Sequence, residues 1–535
     1  MSARRTAVVI GGGVSGLACA ALLARDGFDV ELHDQGEVVG GRAGRWAHDG
    51  FTFDTGPSWW LMNEVFDHYF RLLGTTVEAE LDLVRLDPAY RVFFEGDPTP
   101  LEVRSGREAV AATFEGVQPG AGKAIARYLD SAHSTYELAV QRFLYTTFES
   151  FSPLVRLDVM ARLGRLGRLL TQPLESFVSG HVQDQRLRQV LGYPAVFLGS
   201  SPRRAPALYH LMSHLDLVEG VFYPQGGFAR LVDRLAELAE REGVRIVTGS
   251  TAVSIDTEAG RGRGRTRATV TGVTVRGDEG ESFRPADLVV AAADLHHVET
   301  ELLPPELREH SDGWWERRDP GPGAVLVLLG VRGLLPELAH HSLFFTADWQ
   351  EHFDVLHGSG DPMPDPASIY VCRPSATDPS VAPEGCENLF VLVPTPADPG
   401  IGRGGESGGG DASVERIADA AIAQIAAWAG VPDLAERVVV RRTIGPQDFA
   451  EDLNAWSGGA LGPAHTLQQS AFLRGRVSSG RVDGLHFAGS STIPGIGLPM
   501  CLISAEVMLK SVRGDSSTTP LPEPLTHRAP EASSA

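Results

Sequence analysis

The sequence is poor in cysteine, in positive charge and in long apolar runs. Its four cysteines, Cys19, Cys372, Cys386 and Cys501, lie far apart with no CxxC pair. That argues against a disulfide scaffold or a cysteine-rich metal site and suits a reducing, cytoplasmic compartment. Asp and Glu number 68 against 47 Lys and Arg, a formal net charge of −21, which disfavours a nucleic-acid partner. With one exception, no apolar run reaches the ~18 residues of a bilayer-spanning helix. The exception, residues 7–24, follows Arg4-Arg5 and imitates a signal peptide. It carries Gly11, Gly12, Gly13 and Gly16, however, and leads into a second strand-like segment instead of a cleavage site. Histidines and acids show no ligand spacing. His340 and His341 are adjacent, so regular backbone would point them apart, and no metal is expected.

What is present fits a large globular chain. Its 535 residues, 43% hydrophobic and 21% charged, suggest two or three domains. Glycine is abundant, at 60 residues, and its positions carry the information. TAVVI (6–10) reads as a buried strand and LACAALLARDG (17–27) as a helix stopped by glycine. FDVELHD (28–34) reads as the next strand. Between the first strand and the helix stands Gly11-x-Gly13-x-x-Gly16. Gly11 makes the tight turn, Gly13 lets backbone approach a pyrophosphate, and Gly16 lets helix and strand pack closely. Val14 and Ser15 open the helix, whose positive N-terminus would meet the phosphates. Asp34 ends the second strand, 18 residues after Gly16, where a carboxylate can accept from a ribose hydroxyl.

Gly40-Gly41-Arg42-Ala43 follows, then Phe53-Asp54-Thr55-Gly56-Pro57. With the preceding unit, GGRA resembles the FAD-binding amine oxidase and carotenoid desaturase superfamily. The resemblance implies that Gly41 and Arg42 flank the flavin's pyrophosphate and ribityl chain. Further on, YPQGG (223–227) followed by a helix and GVRIVTGSTAVSI (243–255) resembles the bacterial-type carotenoid desaturases, of which phytoene desaturase is the best known. There the chain returns to the FAD domain, and Val253 takes the place of the valine that packs at the adenine. HHSLFF (340–345) and SIYVCRPSATDPSVAPEGCENLFVLVP (368–394) share the likeness.

Near the C-terminus, GLHFAGSSTIPGIGLPMCLISAEVML (484–509) is a second strand–turn–helix. The helix entry at Gly497-Leu498-Pro499-Met500 would aim N–H groups at the pyrimidine edge of the flavin and stabilise the charge of its reduced form. Gly489 maps to the pyrophosphate and ribityl chain. Two departures stand out. Many flavoproteins of the superfamily have an acid where this chain has Ser490. Many phytoene desaturases read Thr-His-Pro-Gly where this chain reads Thr492-Ile493-Pro494-Gly495.

The implied fold is α/β. A Rossmann-like, doubly wound FAD-binding domain (1–75, 223–300, 456–512) is assembled from both chain ends. A mixed-sheet substrate domain (76–132, 301–455), a helical membrane-associating subdomain (133–222) and a disordered tail (513–535) complete it. RGRGRTR (261–267) reads as a hairpin tip and GRGGESGGGDAS (402–413) as a flexible loop. PLVRLDVMARLGRLGRLL (153–170) sets Arg156, Arg162, Arg165 and Arg168 among leucines and valines. It suits either a helix lying on an anionic membrane surface or a core-facing helix with a solvated arginine face.

The resemblance implies an FAD-dependent carotenoid desaturase of the phytoene desaturase type. Such an enzyme removes hydrogens beside the conjugated part of a polyene and meets its substrate at a peripheral membrane surface. The electron acceptor stays unspecified. Asp54 and Glu219 flank family motifs and are the candidate bases, with helix capping or ion pairing as their structural alternative. The other functions open are an FAD amine oxidase and a retinol-saturase-like or isomerase-like flavoprotein acting on a polyene.

Overall fold

The computed structural model describes residues 4–148, 163–260, 268–358 and 363–526. Strand β1 (Thr6–Ile10) is buried from Ala7 to Ile10. A continuous apolar run of this kind marks a strand covered on both faces. It pairs in parallel with β2 (Asp29–His33) on one side and Leu288–Ala291 on the other. Arg245–Val247 and Leu485–Phe487 form the edges of this five-stranded parallel sheet. Helix α1 (Val14–Arg25) makes the first crossover and is buried from Val14 to Ala24. It has little amphipathic contrast because it packs against the helices Phe228–Arg241 and Leu498–Arg513. One sheet thus gathers strands from distant parts of the chain, and helices from the middle and the C-terminus flank α1.

A seven-stranded mixed sheet stands beside it. Its order is Val438–Ile444, Gly323–Arg332, Cys386–Thr395, Ile369–Cys372, His341–Phe345, Tyr90–Phe94, Leu101–Val103. All pairs are antiparallel except His341–Phe345 with Tyr90–Phe94. The described residues between 121 and 219 are mainly helical. The predicted hairpin tip 261–267 lies outside the described residues, as does 149–162, which holds most of the basic stretch. Within Leu163–Thr171, Leu166 and Leu169 are buried, while Leu170 is exposed. Arg165 donates to Ser131 and Ser134 on the long helix Ala121–Ala139.

Two expectations are corrected. Residues 514–526, part of the tail expected to be disordered, are packed. Leu521 and Leu525 are buried, the Leu525 amide donates to the Leu72 carbonyl, and Glu523 meets His68. Pro and Ser do not prevent order where apolar residues find a core and backbone groups find partners. The glycine-rich loop 402–413 is likewise held. Gly404 N–H donates to Asp448, and Gly405 N–H donates to the Thr443 hydroxyl. A Cβ on Gly404 would lie 2.1 Å from the Thr443 carbonyl, so this glycine serves close backbone approach rather than flexibility.

Candidate active site

The nucleotide turn is built by contact between backbones. A Cβ on Gly16 would lie 1.8 Å from the Gly11 carbonyl oxygen, so α1 can cross the turn this closely only without a side chain. The Gly40 amide donates to the Gly12 carbonyl at 2.9 Å, and Gly13 and Gly40 form a β-bridge. The Gly40-Gly41 turn therefore rests on the first glycine loop, 27 residues away in sequence (40 − 13). Arg42 is held beside it. Its Nε donates to Ala460 O at 3.0 Å, and its guanidinium lies 3.8 Å from Asp294. From the other chain end, Gly489 N–H donates to Ser504 Oγ at 3.0 Å. A Cβ on Gly489 would come within 3.5 Å of Ser15 Oγ. Asp34 accepts from Gly12 N–H at 2.5 Å and Gly36 N–H at 2.7 Å. It stabilises the loop, and each oxygen keeps a further lone pair.

These pieces border one cavity of about 1070 Å³. Gly11, Gly13, Val14, Ser15, Asp34, Gly41, Arg42, Gly489, Gly497, Leu498, Pro499 and Met500 all line it. Gly16 does not, being packed against the Gly11 carbonyl instead. Two helix N-termini open on this space, α1 and Leu498–Arg513. Neither has a side-chain cap or an acid in its first turn. Uncapped N–H groups in a concave site suit an anionic or electron-rich ligand. A Cβ on Gly13 would meet no protein atom closer than 3.9 Å and would project into the cavity. The residues therefore fit a dinucleotide laid across the turn.

Other predicted residues lie elsewhere. Val253 stands at a bulge in the strand Thr251–Ala259, between Ala252 and Ser254, and does not line the cavity. Its neighbours Ser250, Thr251 and Ala252 do. Glu219 pairs with His214 at 3.1 Å and is absent from the cavity wall. Asp54 is also outside the main cavity. Its two carboxylate oxygens accept from Phe228 N–H (2.8 Å) and Ala229 N–H (2.9 Å), capping the helix Phe228–Arg241. Burial pushes its pKa up to about 6. Both candidate bases thus make structural contacts and stand outside the cavity wall. Asp54→Ala is expected to cost about 1–2 kcal/mol of stability, while kcat changes less than about twofold. A kcat collapse in a folded variant would restore Asp54 as the base. The sign of its pH dependence is set by the raised pKa. Its contribution is present at low pH and lost as pH rises through about 6, and Asp54→Asn should flatten that part of the melting profile.

His340 and His341 do not point apart as expected. His340 precedes the strand rather than continuing it, and the two ring centroids lie 4.6 Å apart. Cys372 is the cross-strand partner of His341, and the three buried side chains come within 4.8 Å of one another. Burial holds both imidazoles neutral, well below their usual pKa. Their Nδ1 atoms are taken by Thr377 (2.7 Å) and Tyr370 (2.7 Å) hydroxyls. His341 stacks on Trp59, which lines the cavity.

Three residues that sequence pattern does not single out also belong to the site. His465 and Tyr209 line the cavity. His465 Nε2 accepts from Ile496 N–H at 3.2 Å, and Nδ1 meets the Tyr209 hydroxyl at 2.8 Å. An imidazole thus packs on the same turn that lacks one at Ile493, supplied from another part of the chain. The buried Arg474 braces that turn through the Ser490 carbonyl. These residues lie in short 3₁₀ turns and irregular segments, where periodicity gives no signal.

The family model for flavin containing amine oxidoreductases matches residues 14–506. The chain belongs to that family. Its flavin is FAD, in keeping with the dinucleotide turn. The carotenoid 3,4-desaturase of Haloarcula japonica is 42% identical to this family member, covering 93% of this chain and 96% of the relative. The zeta-carotene-forming phytoene desaturase of Myxococcus xanthus is 34% identical over 94% and 93% of the two chains. The phytoene desaturase of Fusarium fujikuroi is 31% identical over 96% and 90%. Among solved structures, an oxidoreductase from Methanosarcina mazei aligns with TM-score 0.59 at 16% identity, over 94% of this chain and all of that one. A putrescine oxidase bound to putrescine aligns with TM-score 0.59 at 15% identity, over 96% and 99%. These two likenesses establish a shared α/β fold.

Proposed function

We propose that the chain is an FAD-dependent carotenoid desaturase that dehydrogenates C–C bonds of a long polyene and so extends its conjugation. One observation carries this reading over amine oxidation. The cavity that starts at the nucleotide glycines continues along a wall of hydrocarbon, including Leu138, Phe143, Phe148, Leu166 and Leu208. A polyene has no polar handle, so its affinity must come from buried apolar area at about 25 cal/mol per Å². An amine would need a polar channel instead.

Bound FAD supplies a two-electron oxidant. In this reading Gly11, Gly13, Val14, Ser15, Asp34, Gly41, Arg42 and Gly489 would hold its diphosphate and sugars, Gly16 keeps α1 close, and Ser250, Thr251 and Ala252, beside the Val253 bulge, would stand at the adenine. Residues 497–500 direct N–H groups at the ring. The apolar walls orient the polyene and exclude water, which favours charge transfer between fixed groups. The test is absorption of products after phytoene, or a partly conjugated acyclic carotene, is supplied in liposomes. A red shift from either is expected. Flavin-loaded enzyme that leaves both spectra unchanged would overturn the desaturase reading.

The substrate dissolves in bilayers, and the cavity mouth suits a membrane surface. Leu170 (39% exposed), Leu467 (47%), Phe472 (52%) and Leu473 (44%) all border the cavity and all face outward. Arg168 is exposed on the same helix, two residues before Leu170. Among the described residues no helix is long and apolar enough to cross a membrane. We therefore place peripheral docking at this rim, apolar side chains in the acyl boundary and arginine at the headgroups. Changing Leu467, Phe472 and Leu473 together to serine should weaken sedimentation with anionic vesicles by at least about tenfold. Unchanged sedimentation would remove the rim from the docking surface.

A further inference from the structure

A buried cation stands beside the cofactor cavity, and no anion among the described residues meets it. Arg474 is 5% exposed. Its Nε donates to the Ser490 carbonyl at 3.2 Å, and Nη2 donates to Ser490 O (2.5 Å) and Pro463 O (2.9 Å). Its Nη1 donates to Gln469 O at 3.0 Å. Every acceptor is a main-chain carbonyl. Among the described residues, Arg25, Arg373, Arg441 and Arg513 each reach a carboxylate, whereas no carboxylate lies within ion-pair distance of Arg474. Carbonyls satisfy the donors of a guanidinium but carry only partial charge, so the monopole remains uncompensated. Such a charge is costly to bury unless an anion offsets it.

Its position says where that anion would be. Ser490, Pro494 and Ile496 line the cavity, and Arg474 touches the first of these directly. A Cβ on Gly495 would lie 3.5 Å from Arg474 Nε, so the guanidinium backs the turn that enters the helix Leu498–Arg513. His465 on the cavity wall is held well below the usual imidazole pKa, first by burial and then by the Arg474 charge. Position 490 sharpens the point. Arg474 holds the carbonyl of residue 490, whose side chain in this chain is an uncharged serine.

Resting on the FAD reading of the cavity, we propose that Arg474 is a charge-setting residue that favours the reduced, anionic flavin over the oxidised one and so raises its reduction potential. Uptake of two electrons and one proton would turn the neutral oxidised ring into an anion of charge −1. A fixed cation nearby stabilises that state and leaves the neutral oxidised ring little affected. The need is chemical, because removing hydrogen from a saturated carbon pair without a heteroatom demands a strong acceptor.

The test uses full-length protein loaded with FAD, with bound flavin measured first. The midpoint potential is then read by equilibration with a reference dye. Arg474→Gln is expected to reduce the preference for reduced over oxidised flavin at least tenfold, a fall of about 30 mV for a two-electron couple. Arg474→Lys, which keeps the charge and loses the fork, should retain most of the potential. Ser490→Asp, which leaves Arg474 in place and adds a carboxylate beside it, should lower the potential as Arg474→Gln does, and it serves if that variant fails to fold. Equal potentials in wild type, Arg474→Gln and Ser490→Asp would overturn the proposal. So would a loss of FAD affinity equal in both redox states, which would assign the charge to the diphosphate. A fall in Arg474→Lys as large as in Arg474→Gln would make Arg474 a mechanical brace and overturn it too. Wild-type protein that takes up no flavin would instead defeat the FAD reading of the cavity.

Discussion

Gly16→Val should yield protein without FAD. The new Cβ alone would sit 1.8 Å from the Gly11 carbonyl oxygen, far inside contact distance, and α1 is packed on all sides. Relief requires the helix N-terminus to move away from the glycine turn, or the turn to deform. Overpacking of this kind costs about 1–3 kcal/mol or more, and the displaced element is the one whose N–H groups face the cavity. Flavin affinity should fall by at least about a hundredfold, since each 1.4 kcal/mol is a factor of ten. Flavin absorbance after gel filtration and a thermal melt check both effects. Gly116→Ala provides the contrast. Gly116 lies on the exposed side of the helix Arg107–Val117, and its added Cβ would meet nothing within 4 Å. That substitution should stabilise by about 0.4–1 kcal/mol through the unfolded chain. Full flavin occupancy in Gly16→Val would show that the close crossing of α1 is dispensable.

Lys510→Met should release the C-terminal segment. Lys510 is 0% exposed. Its Nζ donates to the carbonyls of Tyr145 (2.6 Å), Ser517 (2.8 Å) and Thr519 (2.8 Å). Methionine fills similar volume but leaves the buried Tyr145 carbonyl unmet, at about 1–3 kcal/mol, and releases the Ser517 and Thr519 carbonyls, which water can reach. Relief comes from peeling residues 514–526 off the domain, which also exposes Leu521 and Leu525. The expected result is a melting temperature lower by several degrees and faster proteolysis within 514–526. If neither changes, the ammonium is not what ties the segment down.

The glycine turns were legible because their chemistry is local. Gly11, Gly13 and Gly16 sit between two strand patterns and a helix pattern, and the spacing alone implies a nucleotide turn. The C-terminal turn at 489–500 was legible for the same reason. Asp54 and Glu219 were not, because a carboxylate beside a motif looks alike as a base or as a cap. Only the placement of the Phe228 and Ala229 amides on Asp54, and of His214 on Glu219, distinguishes the two roles. The approach of His340 to His341 is not legible in the sequence, because the strand begins only at His341 and regular backbone does not span both.

The sequence by itself determined the parallel α/β unit and its nucleotide turn, which rest on short-range spacing and on apolar periodicity that one stretch of chain can express. The flavin and the joining of both chain ends followed from the resemblance of GGRA and the C-terminal turn to a known family. The tertiary structure decided the rest. It packed the C-terminal segment onto Lys510, gave His465 and Tyr209 a place on the cavity wall, and left Arg474 buried beside Ser490 without a carboxylate. Burial and pairing are properties of groups brought together from distant positions, and the electrostatic cost of a charge depends on those neighbours rather than on its own place in the chain.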